Sequence, residues 1–298
     1  MDIILGLVKS VLEESFIYGI MVMGVYITYK ILDFPDLSVD GTFPLGACAT
    51  AALITAGLNP WLACVLVFLL GMLAGAFTGF LHVKLKVADL LSGIITMTAL
   101  WSVNLFILKG SAILQFYNQP TIFTSAPVSF LPEGIYKYRV LLVTFLIVLA
   151  VKLLLDWFLR TKAGLLLRAA GDNAQYVTAL ARDQGRMKVL GLAIGNGCTA
   201  LAGAVFAQQA ESASVSIGTG MVVQALAAVI IGTSVLGRLR RVGTTTKALA
   251  GTVLYKAILL VAMLYLPPNA LKLAMAALFV AALLTDRLGR KKGGVLHA

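Results

Sequence analysis

The sequence predicts an all-α, polytopic transmembrane helical bundle of about nine spans (eight to ten), and three observations carry that prediction. Apolar residues make up 60% of the 298 positions and charged residues only 12%, against roughly 45–50% and about 25% in soluble domains. The mean hydropathy is +0.94. Apolar runs also recur at the roughly 17–25 residues that a bilayer core demands of one helix. A water-soluble surface needs more polar cover than this composition supplies.

In chain order, residues 1–15 are too short to span and read as an interfacial N-terminal helix. The candidate spans are 16–32, 42–57, 61–81, 90–108, 140–159, 189–207, 219–236, 248–266 and 270–286. The run 42–57 is short and contains glycine, and 219–236 begins in a glycine-rich stretch, so either can be a broken or re-entrant helix. The start, MDIILGLVKSVLEES, lacks a basic leading region and is not expected to be a cleavable signal.

Basic residues set the direction. With the C-terminus inside, the inner loops hold Lys84 and Lys86; Arg160, Lys162, Arg168, Arg182, Arg186 and Lys188; Arg238, Arg240, Arg241 and Lys247; and Arg287, Arg290, Lys291 and Lys292. Only Lys9, Lys109, Lys137 and Arg139 fall outside. The positive-inside rule gives N-out/C-in. DFPDLSVDG, the first inner loop, dissents with Asp33, Asp36 and Asp40, but acids weigh little in that rule. Topology accounts for the formal charge of +11, so no nucleic acid partner is implied.

No GxxxxGK[ST], HExxH or GxSxG occurs. Cys48, Cys64 and Cys198 sit in apolar runs without CxxC spacing, and His82 and His297 lie far apart. These features predict no metal site, no catalytic residues and no cofactor bound by this chain.

Two loops are long enough to carry function. Residues 109–139 read as an ordered external loop, and 160–188 as a cytoplasmic loop. In the latter, Asp172 or Asn173 can cap a helix through AQYVTALARD, with Gly185 as its stop. Such a helix is either a plain connector on the membrane or a docking element for a cytoplasmic partner.

Ionisable groups inside spans cost a few kcal/mol each on insertion scales, so each needs a reason. Lys256 is the clearest case, either paired inside the bundle, with Asp40 as candidate, or lining a pathway. Lys152 and Asp156 form an i,i+4 pair. Asn104, Asn196 and Gln224 suit interhelical hydrogen bonds better than ligand contact. The segment LSVDGTFPLGACATAALI (37–54) weakly echoes VSIGTGMVVQALAAVII (215–231), which leaves two inverted repeats as an open option.

The blocks FPDLSVDGTFPLGACATAAL, ADLLSGIITMTALWSVNLFILKG, LLLRAAGDNAQYVTALARDQGRMKVLGLAIGNGCTALAGAVFAQQ and LPPNALKLAMAALFVA, in this order, resemble the permease subunit of bacterial ABC importers. The type is the branched-chain amino acid/ribose permease family, nearest to permeases labelled as tryptophan/tyrosine (aromatic amino acid) transporters. The resemblance covers about residues 15–287 and departs from the family at Ala270, where an acid is usual. It implies a multi-pass permease of the bacterial cytoplasmic (inner) membrane that moves a small organic solute by alternating access. Its implied partners are a cytoplasmic ABC ATPase dimer carrying ATP and Mg, a second permease copy, an extracytoplasmic solute-binding protein and membrane lipid.

On the same resemblance the coupling segment to the ATPase contains Arg168, Gly171, Asp172, Asn173, Tyr176, Leu180 and Arg182. Candidates for the translocation path are Asp40, Gly41, Asn104, Asn196, Gln224 and Lys256. The alternative is an ion-gradient-driven secondary transporter without an ATPase, using Asp40 and Lys256 as coupling groups.

Overall fold

The computed structural model describes residues 2–126, 128–130, 132, 136–172, 183–236, 243–265, 267 and 270–294. Helices dominate. They are α1 (Asp2–Val25), continued by a π-helical stretch Tyr26–Ile31, then α2 (Val39–Thr55), α3 (Pro60–Lys84), α4 (Asp89–Ile107), α5 (Arg139–Phe158) and α6 (Lys162–Asp172). The second half brings α7 (Gln184–Ala210), α8 (Met221–Val235), α9 (Thr244–Tyr265) and α10 (Leu271–Gly294).

Local chemistry fixes several ends. Asn59 caps α3 through its side chain, 2.9 Å from the Trp61 amide, and Pro60 takes the first helical position, where its missing N–H costs nothing. Asp183 caps α7 by accepting from Gly185 and Arg186. Gly185 therefore opens α7 instead of closing the preceding helix, and α7 starts five residues before the expected span. Asp172 is the last described residue of α6. The expected helix through residues 174–183 lies outside the described residues up to 182.

The N-terminal stretch also differs from expectation. Residues 1–15 are not a separate element, because α1 runs unbroken from Asp2 to Val25.

Among the described residues, seven helical segments are long and apolar enough to cross a membrane, including Gly6–Ile31, Gln184–Ala210 and Val215–Val235. Two further expected spans coincide with the shorter apolar helices Val39–Thr55 and Leu273–Leu284. The chain is thus a polytopic helical bundle.

Its surface has the polarity of a membrane protein. On α3 the large residues Leu62, Val65, Leu69, Leu73, Phe77 and Phe80 are exposed, while the small ones Ala63, Gly71, Ala74, Gly75 and Thr78 are buried. Lipid is as apolar as leucine, so helix association there is gained from close backbone approach between small residues, and large side chains face out.

The helices form two halves with matching contacts. α1, α2, α3 and α4 correspond to α7, α8, α9 and α10. α3 packs on α7 as α9 packs on α1; α2 touches α3 and α4 as α8 touches α9 and α10. α1 and α7 run antiparallel, with Tyr18 beside Phe206, Gly24 facing Cys198, and Leu32 against Gly191. In each half a long helix is followed by an interruption and then a short helix of 17 or 15 residues. The interruptions are residues 32–38 and 211–220, the second containing strand β2 (Ser212–Ser214) and a 3-10 turn (Val215–Gly218). The two halves thus share a contact pattern, with α5 and α6 between them.

One end of the bundle gathers the first turns of α1, the 109–139 loop and the 211–220 segment. Strand β1 (Ile113–Gln115) pairs antiparallel with β2. Lys9 Nζ donates to the Lys137 carbonyl at 2.7 Å, and Trp61 Nε1 to the Ala126 carbonyl at 3.1 Å. Basic residues Lys84, Arg186 and Lys188 cluster at the other end with His82.

The α3–α7 crossing is the tightest test of this packing. A Cβ at Gly75 would collide with the Leu192 carbonyl of α7. Gly75→Val is expected to cost roughly 1–3 kcal/mol by overpacking and to lower the thermal unfolding midpoint in detergent. Gly6→Ala, where a Cβ meets nothing within 4 Å and alanine is the better helix former, is expected not to lower the midpoint and to raise it slightly.

Candidate functional site

The two interrupted helices meet N-terminus to N-terminus. Asp40, in the first turn of α2, places Oδ2 3.0 Å from the Gly220 amide and Oδ1 2.8 Å from the Val222 amide. It thereby satisfies amide donors that the start of α8 leaves without helical partners, and its charge complements the positive end of the α8 dipole. Gly220 turns the chain with φ +89°, and Gly218 lies on the Asp40 carbonyl and the Pro44 ring, where any Cβ would collide. Pro44 has no N–H to offer that carbonyl, which is its i−4 partner in the helix.

Beside this junction a cavity of about 330 Å³ opens. Its walls are Asp40, Gly41 and Pro44 of α2, Met97, Thr98, Trp101 and Asn104 of α4, and Val215 and Thr219 of the second interruption. Asn104 is 1% exposed, and its Nδ2 donates to the Gly41 carbonyl at 3.2 Å. That bond fixes the orientation of the amide, and Oδ1 is buried with no hydrogen-bond partner among the described residues.

The cavity therefore unites three of the sequence-derived path residues, Asp40, Gly41 and Asn104. The other three lie apart from it. Asn196 of α7 is tied into a buried knot: Nδ2 donates to Asp36 Oδ2 at 2.7 Å, while Oδ1 accepts from Thr42 at 2.7 Å and Ser38 at 3.1 Å. Asp36 also accepts from the Ser38 amide at 2.8 Å. The acids expected in an inner loop are thus partly inside the bundle, which removes the dissent of DFPDLSVDG from the charge pattern. Gln224 is buried in α8, and its Nε2 has no partner among the described residues.

Lys256 has a different partner from the one the sequence suggested. Its Nζ is 3.0 Å from Glu14 Oε2 and 3.6 Å from the centre of the Tyr18 ring. Glu14 and Tyr18 are i and i+4 on α1, so both face α9 together. Asp40 is occupied with α8 and does not pair with Lys256. The Lys256 side chain is 7% exposed and the Glu14 side chain 50%. Lys152 and Asp156 do pair, at 2.8 Å, and Thr245 Oγ1 donates to the same carboxylate at 2.6 Å.

Sequence reasoning found Asn104 on the α4 wall of the cavity but missed Asp36, Glu14 and the other α4 residues there, Met97, Thr98 and Trp101. Asp36 and Asp40 share a spacing of four in an otherwise apolar stretch, a signal that two acids enter the bundle together. Trp101 and Thr98 carry no such signal, since single aromatic and hydroxyl residues are ordinary on a lipid-facing helix.

Of the coupling candidates, Arg168 is exposed on α6, and Gly171 packs against the Ile31 carbonyl at the end of the π-helical stretch. Asp172 lies at the described end of α6. Asn173, Tyr176, Leu180 and Arg182 lie outside the described residues. The three cysteines are free and buried, and no group of three or more His, Cys, Asp or Glu able to hold a metal occurs among the described residues.

The Lys256–Glu14 pair yields a direct test. Lys256→Met leaves a carboxylate in an apolar belt and is expected to destabilise the protein, whereas Lys256→Arg retains most of the stability. A double-mutant cycle with Glu14→Gln, read by unfolding in detergent, is expected to give a coupling on the order of 1–3 kcal/mol.

Comparison with known proteins gives a consistent set of relatives. The chain is 38% identical over 280 residues, 94% of its own length and 91% of the other, to the tyrosine transport system permease protein of Clostridioides difficile (strain R20291). An uncharacterized protein of Rickettsia prowazekii (strain Madrid E) is 32% identical over 228 residues, covering 76% of this chain and 77% of that one. The autoinducer 2 import system permease protein LsrC of Escherichia coli O9:H4 (strain HS) is 30% identical over 199 residues, 66% of this chain and 55% of that protein. No solved structure gives a significant match. Residues 7–283 match the family model for the permease component of branched-chain amino acid transport systems, and the polytopic helical bundle fits such a component: the chain belongs to this family of membrane permeases, which are pore subunits and not enzymes.

Proposed function

We propose that this chain is the membrane half of an ATP-driven importer of the bacterial cytoplasmic membrane. Two copies would form the pore and take a small organic solute, of the amino acid class named for the Clostridioides difficile relative, from an external binding protein. ATP and Mg would reside on a separate cytoplasmic ATPase. In this reading the 109–139 end faces out, the basic end faces the cytoplasm, and α2 and α10 complete about nine spans as the two with the shorter apolar stretches.

The observation that carries the mechanism is a continuous path of contacts from α6 to the cavity. α6 presents Lys162, Leu165 and Arg168 to the exterior, while Leu167 is fully buried and Gly171 touches Ile31. Leu32 and Leu167 both pack over Gly191. Residues 32–38 then lead straight into α2 and Asp40. π-Helical turns are strained relative to α and recur at functional sites. A push on α6 from a docked ATPase would be received at Ile31 and Leu32 and delivered through the interruption to the α2–α8 junction. Opening and closing that junction would alternate access to the cavity.

The ion-gradient alternative requires Asp40 and Lys256 as free coupling groups. Both are committed elsewhere, Asp40 to the α8 amides and Lys256 to Glu14.

Affinity purification of the tagged chain from its native membrane is expected to bring down an ATPase subunit in stoichiometric amount. Arg168→Glu is expected to leave membrane insertion intact while reducing solute-stimulated ATP hydrolysis by about 5- to 100-fold, the range of typical coupling energies. Normal coupling in that variant would remove α6 from the docking interface, and transport by the chain alone in liposomes without ATP would overturn the importer reading.

A further inference from the structure

A second cavity, of about 510 Å³, lies between α3 and α7 at the basic end of the bundle. Phe80, Val83 and Lys84 of α3 form one wall, and Val189, Leu190 and Ala193 of α7 form most of the other. Asp183, Gly185 and Arg186 close it at the start of α7. The two helices meet beneath it, where Gly79 backs onto Val189 and Gly185 onto Val83. Along α7 the lining passes from charged at Arg186 to apolar at Ala193, a rise of about 10 Å.

The cavity opens toward lipid. The outward row of α3 runs through Leu66, Leu69, Leu73, Phe77 and Phe80, all exposed, and ends in exposed Lys84. Spacings of three and four keep these residues on one face of the helix. A row of large apolar side chains that ends in a lysine marks the level where hydrocarbon gives way to headgroups. Phe80, 48% exposed, belongs both to that row and to the cavity wall. The charges at this level are uneven. Lys84 makes no ion pair among the described residues. Arg186 Nε is 3.2 Å from Asp183 Oδ2, an exposed pair that contributes little and can be shared. Asp183 is the single acid among the described lining residues, and its Oδ1 already accepts from the Gly185 and Arg186 amides. Lys188, two residues further along α7, lies with Nζ 3.0 Å from His82 Nε2 and adds to the positive field.

We infer that this groove binds a phospholipid with a net negative headgroup, its phosphate between Lys84 and Arg186 and an acyl chain laid over Val189, Leu190 and Ala193. The inference needs only that the chain spans a bilayer, and it is independent of the importer reading. A guanidinium suits a phosphate because it can offer two parallel N–H donors. Basic pockets between membrane helices suit anionic headgroups for the same electrostatic reason. A zwitterionic lipid carries its own cation, which would stand beside Lys84 and Arg186 with the one acid already engaged. A phosphoglycerol headgroup brings hydroxyls there instead. A soluble phosphate would satisfy the charges and leave the apolar walls uncovered. The volume falls in the range of small-molecule pockets, about 300–1,000 Å³. Since α3 and α7 belong to different halves of the bundle, a lipid seated here bridges the halves.

The test is lipid retention by the full chain, read by native mass spectrometry from detergent micelles holding equal amounts of dioleoylphosphatidylglycerol and dioleoylphosphatidylcholine. The two lipids share their acyl chains and differ in headgroup charge. Phosphatidylglycerol is expected to be retained about fivefold more or better, the worth of one basic side chain near an anionic lipid surface. Lys84→Gln and Arg186→Gln, at exposed positions that leave the fold intact, are each expected to cut the preference by about two- to fivefold. The double variant is expected to abolish it. Arg160→Gln removes the same charge from another exposed position outside the groove and is expected to leave the preference unchanged. Equal retention of the two lipids, an equal loss in Arg160→Gln, or an undiminished preference in the double variant would each overturn the inference. Free glycerol 3-phosphate is expected not to displace the lipid. Displacement by it would assign the groove to a soluble phosphate, and release of the lipid when an ATPase subunit joins the chain would assign the charges to that partner; either result overturns the lipid site.

Discussion

The structure depends on one constraint, that no backbone amide or carbonyl can be left unpaired away from water. A membrane-spanning helix meets it automatically, and an interrupted one does not. This chain interrupts two helices and resolves the debt of each with the other. Asp40, at the start of α2, is the partner for amides at the start of α8, and the two helix starts are thereby held together. Asp36 does comparable service for the Ser38 amide, with Asn196 of α7 holding the carboxylate in position. Charges that are costly in lipid are thus concentrated where irregular backbone needs them.

That solution dictates the rest of the packing. For two interruptions to meet in the interior, the long helices α1 and α7 must cross closely, and the sequence supplies small residues at those contacts. Tyr18, Phe43 and Phe206 fill the wider space on the outer side of the crossing, with Tyr18 also covering Lys256. Large apolar residues are displaced to the perimeter, where lipid receives them. The cavity is the remainder, the volume that α4 does not fill against the α2–α8 junction.

Much of the helical frame was legible because spans are written as runs of hydropathy, and the expected runs all fall on helices. The short lengths of 42–57 and 219–236 and their glycines also marked the two interrupted elements. The Lys152–Asp156 pair followed from spacing alone. The partner of Lys256 did not, because cutting α1 at residue 15 placed Glu14 outside the bundle and left Asp40 as the nearest acid. Residues 1–15 read as interfacial because they are too short to span alone, although Glu14 is answered by a lysine 242 residues away in sequence. The start of α7 was misread for a related reason: Gly185 is a common helix terminator, and the cap at Asp183 that overrides it is visible only in three dimensions. Apart from Asn104, the α4 wall was illegible in principle, since a tryptophan on an apolar helix has the same local signature whether it faces lipid or a cavity.

The two-stranded clip between residues 113–115 and 212–214 has a mechanical meaning. β2 runs directly into the turn Val215–Gly218 and Thr219, so one wall of the cavity hangs from strand β1 of the 109–139 stretch by a short, stiff tether. The facing wall, Asp40 and Gly41, is anchored through residues 32–38 to the end of α1 on the opposite side of the bundle. The gap between them therefore behaves as a differential gauge, in which load applied at either membrane face registers as a change in a single spacing.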